Sequence, residues 1–433
     1  MPLILGANTL SAGGYGVDNS LRFNRGSADH LTRSVSGSST TKATYSVWFK
    51  KTINGVEQCL YAIDDVTNEV RINFTTSDTI QVFHYAGGYT YQVATNRVFR
   101  DPSAFYNIMI VVDTTQGTDT NRVKIYVNGV QETSLATTNY PSQNTDSFFF
   151  QSATLYLGVE ENGSSNPIDG YIAENIVCQG QALTPTDVGE FDEDSGIWKP
   201  IDVSGLTFGT NGFYLEFKDS SALGDDTSGE GNNFTVNNLT SIDQTTDTPT
   251  NNFATLNPLA IMSTVSSIQT LSEGNLKAVS SGNWRFAYGS IPMSLGKWYV
   301  EVKISSSGGS NYVTIGLNPD NFSNGADTAH SHSTTGVWYN SNGQKWVGDS
   351  DSAYGDSYTT NDIIGVAINM TDSQVTFYKN GVAQNSGTPI NFNANLTGAS
   401  SIIFGLDCYT ATTEANFGNP PFTISSGNSD ANG

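Results

Sequence analysis

Nearly every patterned stretch of this chain repeats with a period of two residues, and that constrains the fold more than any other feature. Trp298-Tyr299-Val300-Glu301-Val302-Lys303-Ile304 puts Val300, Val302 and Ile304 on one face and Glu301 and Lys303 on the other. That is the pattern of a strand with one face in solvent. Val123-Lys124-Ile125-Tyr126-Val127 repeats it. Ile108-Met109-Ile110-Val111-Val112 and Ile402-Ile403-Phe404-Gly405-Leu406 are short apolar runs, as strands covered on both faces require. Gly, Asn, Asp and Ser interrupt the chain about every ten residues, a spacing that predicts antiparallel β-sandwiches. One short helix is expected, from Thr184-Pro185-Thr186-Asp187 to about Phe191, with a threonine cap and a proline in its first turn.

Composition excludes several alternatives. Among 433 residues, 19 Lys+Arg face 41 Asp+Glu, giving a net charge of −22. A nucleic-acid binder needs a basic footprint, which this chain lacks. Aromatics make up 11% of the residues, too many for a disordered chain. No apolar run approaches the roughly 18 residues of a membrane helix. Cys59, Cys178 and Cys408 are widely spaced and odd in number, so they predict buried thiols in a reducing cytoplasm rather than a disulfide framework. The first residues, Met1-Pro2-Leu3-Ile4-Leu5-Gly6-Ala7-Asn8, have no basic segment and do not read as a signal peptide.

The length predicts two or three domains at roughly 100–200 residues each. Val123–Val130 and Val375–Val382 both read as strand, Asn-Gly turn, strand. The echo fits either two related domains or simply the commonness of such hairpins. Between them, Asp219 to Asn252 is rich in Ser, Asp, Gly, Asn and Thr and reads as a connector.

At this point the residues carry a family likeness. Ser20-Leu21-Arg22-Phe23-Asn24, Tyr45-Ser46-Val47-Trp48-Phe49-Lys50, Asp169-Gly170-Tyr171-Ile172-Ala173-Glu174 and Gly196-Ile197-Trp198-Lys199-Pro200 form part of an ordered string over residues 17–260. It resembles the laminin-G-like, concanavalin A-like jelly rolls of bacteriophage virion proteins. Gly296-Lys297-Trp298-Tyr299-Val300, Asp362-Ile363-Ile364-Gly365-Val366 and Ala415-Asn416-Phe417-Gly418 resemble a SPRY domain. The fold expected is therefore all-β. Two concanavalin A-like antiparallel β-sandwich domains, at 17–200 and 273–425, are joined by a polar connector at 201–272 that packs partly on the first. An arm at 1–16 and a tail at 426–433 complete the chain.

The combination implies a non-enzymatic virion protein on the exterior of a phage particle, assembled in the host cytoplasm. A tail fibre or similar appendage subunit that binds a host glycan or surface protein leads. A head fibre, capsid decoration or tail-assembly protein without a host ligand is the alternative, and a polysaccharide depolymerase is third. The partners implied are other virion proteins, through residues 1–16, and further copies of the chain, with a trimer favoured. Nucleic acid and membrane insertion are not expected.

The aromatic loops are the ligand candidates, because sugars stack on Tyr and Trp faces. They are Tyr85, Tyr89 and Tyr91 around Gly87-Gly88, and Trp338, Tyr339 and Trp346 in the second half. The competing reading makes them ordinary strand residues. Asp113, Asp119 and Asp169, at strand ends and turns, are the calcium candidates. Aspartate also favours turns unaided. Retaining glycosidases need two carboxylates about 5 Å apart. The nearest match, Glu190-Phe191-Asp192-Glu193-Asp194-Ser195, lacks the last acid and reads as a solvated loop. His330-Ser331-His332 is a weak metal candidate.

Overall fold

The computed structural model describes residues 14–65, 67–260, 269–309, 312–320, 336–348, 350–392, 401–418 and 422. The 1–13 part of the arm, the 426–433 tail, His330 and His332 lie outside these residues. The described chain is all-β, with five short 3-10 turns as its only helical elements. None of them is long or apolar enough to cross a membrane. Two compact units divide between Asn252 and Phe253.

The first unit is a sandwich of two antiparallel sheets. One runs, in spatial order, Val130–Gln131, Val123–Val127, Tyr106–Asp113, Lys42–Lys51, Gly170–Gln179, Ser20–Phe23 and Gln244–Thr245. The other runs Leu135–Asn139, Tyr89–Val98, Thr79–Tyr85, Glu69–Phe74, Gln58–Asp64, Thr154–Leu157, His30–Ser34 and Thr235–Asn237. Alternate residues of both, such as Tyr45, Val47, Tyr61, Ile72, Val82 and Val93, fill the space between them. The outer face of the first sheet is covered too. Met109, Val111, Ile176 and Cys178 pack against Val188, Val203, Phe208 and Tyr214, while Trp48 and Tyr171 pack with Trp198 and Val17. This second layer explains why Tyr106–Asp113 is apolar on both faces. The turn at Asn128-Gly129 has φ of 51° and 76°, the mirror-image geometry that Asn-Gly was expected to supply.

The segment expected to be a connector divides between the two units. Phe213–Leu215 pairs with Gly170–Gln179, Thr235–Asn237 with His30–Ser34, and Gln244–Thr245 with Ser20–Phe23. Residues 201–252 thus supply edge strands and the outer layer of the first unit. The short helix is also revised. Pro185–Asp187 is one capped 3-10 turn, and Gly189–Phe191 is a strand paired with Trp198–Pro200. The Trp198 indole fills the space beside Gly189, leaving no room for a Cβ there.

Among the described residues the second unit is a twelve-stranded antiparallel sheet. Its longest strand, Ile402–Asn416, pairs with Val313–Pro319 through its first half and with Lys297–Ser306 through its second, and Lys277–Tyr288 runs alongside both halves. Val302, Ile304, Val313, Ile315, Ile364, Val366, Phe377 and Leu406 make the inner core. Glu301 departs from the expected solvent face. It is buried and accepts a 3.0 Å hydrogen bond from the Tyr299 hydroxyl, which lies over Gly365. The turn at Asn380-Gly381 repeats the mirror-image geometry. Cys59, Cys178 and Cys408 are buried free thiols, and burial pushes Cys59 and Cys178 up to about 12.

Candidate functional site

In the first unit, Thr79–Tyr85 and Tyr89–Val98 form a hairpin that turns through Ala86-Gly87-Gly88. The register shifts between His84 and Tyr85. At the tip, Tyr85 and Tyr89 pair directly, with ring centroids 5.3 Å apart and nearly perpendicular, and both stay exposed (38% and 51%). Phe83 supports Tyr89 edge-on at 5.4 Å. Tyr91, one step behind the shift, faces the core. It is fully buried and its hydroxyl donates to the Ser147 carbonyl. Below the tip, the His84 imidazole stacks on Phe148 at 3.7 Å, and its Nδ1 lies 2.6 Å from the Thr90 hydroxyl.

The candidates of the second half are mostly interior. Trp338 lies flat over Gly316 and Gly405, where a Cβ would come within 2.9 Å of its ring. Tyr339 points into the inner core, and its hydroxyl donates to the Asp356 carbonyl. Trp346 is half-buried in the cluster around Trp338. As ligand contacts, Tyr91, Trp338 and Tyr339 are therefore corrected. Burying a large ring outweighs presenting it to solvent.

The calcium candidates do not converge. Asp113 pairs with Lys42 at one end of Lys42–Lys51, while Asp169 precedes Gly170, which pairs with Lys51 at the other end. At about 3.3 Å per residue those ends are roughly 30 Å apart. The Asp113 carboxylate is occupied by Thr115 and Gln116, and Asp169 by the Thr52 hydroxyl. Asp119 opens an exposed 3-10 turn. Among the described residues no three His, Cys, Asp or Glu side chains gather as a metal site. The Glu190–Ser195 stretch ends in a turn in which Asp192 accepts from Ser195 and Lys199, which hold its carboxyl at about 2.

Two features escaped the sequence reading. Glu174 sits at a bulge of Gly170–Gln179 with φ of 47°, buried, accepting hydrogen bonds from the Tyr214 hydroxyl at 2.5 Å and the Tyr15 hydroxyl at 3.2 Å. Burial pushes its carboxyl up to about 7. In the second unit, Trp284, Tyr312 and Tyr409 meet on the outer face of the sheet, with centroids 5.5–6.3 Å apart. Strand register alone joins these distant positions, so periodicity carries no signal of them.

Glu174 and His84 give the first unit two opposed pH dependences. A carboxyl raised from 4.5 to about 7 contributes stability present below about pH 4.5 and lost as pH rises through 7. Burial lowers His84 from 6.5 to about 4, so its contribution is present above pH 6.5 and lost as pH falls toward 4. Each amounts to at most about 3 kcal/mol. Glu174→Gln should steepen the loss of stability in acid, and His84→Gln should steepen the loss toward alkaline pH. Urea unfolding from pH 4 to 8 checks this, and variant profiles parallel to the parent's would refute it.

Residues 25–189 match the family model described as the concanavalin A-like lectin/glucanases superfamily, and residues 297–420 match the SPRY domain. The chain thus carries a laminin-G-like (concanavalin A-like) domain and a SPRY domain. The chain is similar to the Ran-binding proteins 9/10 homolog of Drosophila melanogaster, 32% identical over 174 residues, covering 35% of this chain and 16% of that protein. Ran-binding protein 9 of Xenopus tropicalis is 29% identical over 178 residues, covering 36% of this chain and 29% of that one. The chain therefore aligns with less than a third of either curated relative. Among solved structures, a putative carbohydrate binding protein from Bacteroides ovatus is 16% identical, with a TM-score of 0.37 over 52% of this chain and 60% of that one.

Proposed function

We propose that this chain is a non-enzymatic recognition protein of a bacteriophage virion, a tail fibre or similar appendage subunit that touches the host surface through loops of its β-sandwich domains. The observation that carries the reading is the pair Tyr85 and Tyr89. These are two large rings left in solvent side by side at a hairpin tip, above a core that buries most aromatics of the first unit; Phe191, equally exposed, instead packs edge-on against Trp198. Ring faces beside backbone polar groups suit the apolar faces and hydroxyls of a sugar. Many copies per particle would raise weak single-site affinity through effective concentration. The phage setting rests on the ordered string of motifs over residues 17–260. With a net charge of −22, contact with an anionic envelope has to be short-range and salt-screened.

The test is a glycan array together with competition between the isolated protein and phage adsorption. Tyr85→Ser/Tyr89→Ser should weaken binding about tenfold, two exposed stacking contacts' worth, while stability moves by less than about 1 kcal/mol. Binding to no glycan and no cell, with particle images placing the chain on a capsid lattice, would favour the decoration reading instead. Release of reducing ends from host polysaccharide would favour a depolymerase.

A further inference from the structure

The second unit carries a buried acid without a counter-charge. Asp407 lies in the longest strand, opposite Phe286 on one side and Thr314 on the other. Its residue is 2% exposed, and its Oδ1 has no hydrogen-bond partner. No ion pair reaches it among the described residues. Strand alternation turns its neighbours Leu406 and Cys408 into the inner core and places Asp407 on the outer face. Tyr409 is two residues along, about 7 Å away on that same face.

The next rung of the outer face is the aromatic trio. The Tyr409 N–H donates to the Tyr312 carbonyl, which fixes these two residues side by side, and the Trp284 ring lies 6.0 Å from Tyr409 and 5.5 Å from Tyr312. The planes are inclined to one another by 33°, 59° and 86°. Tyr312 is 54% exposed at the end of its strand, so its ring is free to change rotamer on a fast timescale. On the other side of Asp407, Phe286, Tyr288 and Trp338 form an apolar cluster.

We propose that Trp284, Tyr312, Tyr409 and Asp407 form a receptor for a cationic head group, the guanidinium or ammonium of an Arg or Lys side chain on a partner protein. A cation within about 6 Å of a ring centroid is drawn to the negative π face. With centroids this close together, a group over one ring feels the others. The carboxyl of Asp407, two residues from Tyr409 on the same face, lies about 7 Å along the strand from a group held over that ring. Burial holds this carboxyl well above the usual carboxylate range. An arriving cation favours its charged form and supplies the missing partner. A chain of net charge −22 favours basic partners over acidic ones. The inference stands apart from the Tyr85–Tyr89 reading, which concerns the first unit.

The experiment titrates the full chain with N-acetyl-arginine methylamide, N-acetyl-lysine methylamide and the neutral norleucine analogue, read by tryptophan fluorescence. Saturable binding of the two cations and none of the neutral compound is expected. Asp407→Asn should weaken binding about tenfold or more, and Tyr312→Ala roughly twofold to fivefold. Asp407→Asn is isosteric and removes no ion pair among the described residues, so its Tm should stay close to the parent's. Tyr312→Ala alters only an exposed ring and tests the site if the first variant misfolds. No saturable response to either cation, an equal response to norleucine, or undiminished binding by both variants would overturn the proposal. A glycan response that Tyr312→Ala abolishes, without cation binding, would overturn it too.

Discussion

Replacing Asp247 by alanine is expected to destabilise the first unit by about 3–5 kcal/mol, the cost of removing the carboxylate from a buried ion pair. For a unit of this size that is a fall in Tm of about 6–20 °C. The partner is Lys50, whose side chain has no exposure and whose ammonium lies 2.8 Å from the Asp247 carboxylate. Nζ also donates to the Asn252 side chain at 2.9 Å and sits over the rings of Phe105 and Tyr171 at 5.7 and 5.6 Å. Burial lowers the Lys50 pKa and Asp247 opposes that shift. Without Asp247 the ammonium must either stay charged in a dry site or shed its proton, and both cost free energy. The double variant Lys50→Met/Asp247→Leu should recover most of the loss, because it removes both charges and keeps the volume. Thermal and urea unfolding measure this. A loss under about 1 kcal/mol for Asp247→Ala would mean that residues 244–252 merely lie on the sandwich.

That lysine marks where the sequence was legible and where it was not. The alternation of Val123–Val127, the doubly covered run in Tyr106–Asp113 and both Asn-Gly turns are local patterns, set by steric rules that act over a few residues. The strands of 213–215, 235–237 and 244–245 are too short to leave a period of two, and their turn-rich flanks look like any linker. What binds them in is long-range, such as Asp247 reaching Lys50, 197 positions away. The site was half legible for a related reason. Tyr and Trp serve equally as strand core and as surface contact, and sequence does not say which side of a hairpin shift a ring falls on. Hence Tyr89 emerges and Tyr91 does not. The three aspartates failed as a group because each is satisfied by its own turn or neighbour, as isolated turn aspartates commonly are.

The same ambiguity gives the second large prediction. Trp338→Ala should cost the second unit about 3–5 kcal/mol, in the range for emptying a buried tryptophan site. Trp338 is 1% exposed and lies over Gly316 and Gly405, two positions with no side chain to close the gap. At Gly316 a Cβ would also stand 2.2 Å from the Val337 carbonyl, so the backbone has no room to fill the space from below. Around it Phe286, Tyr288 and Ile403 lose their shared packing surface. Trp338→Phe keeps part of the ring and should recover about half of the loss. Urea unfolding followed by circular dichroism checks the size of the effect, and binding assays on the folded fraction check its kind. A ligand contact on the surface would show the opposite pattern, with affinity lost and stability kept. That outcome would return Trp338 to the list of recognition residues and require the glycines beneath it to be explained another way.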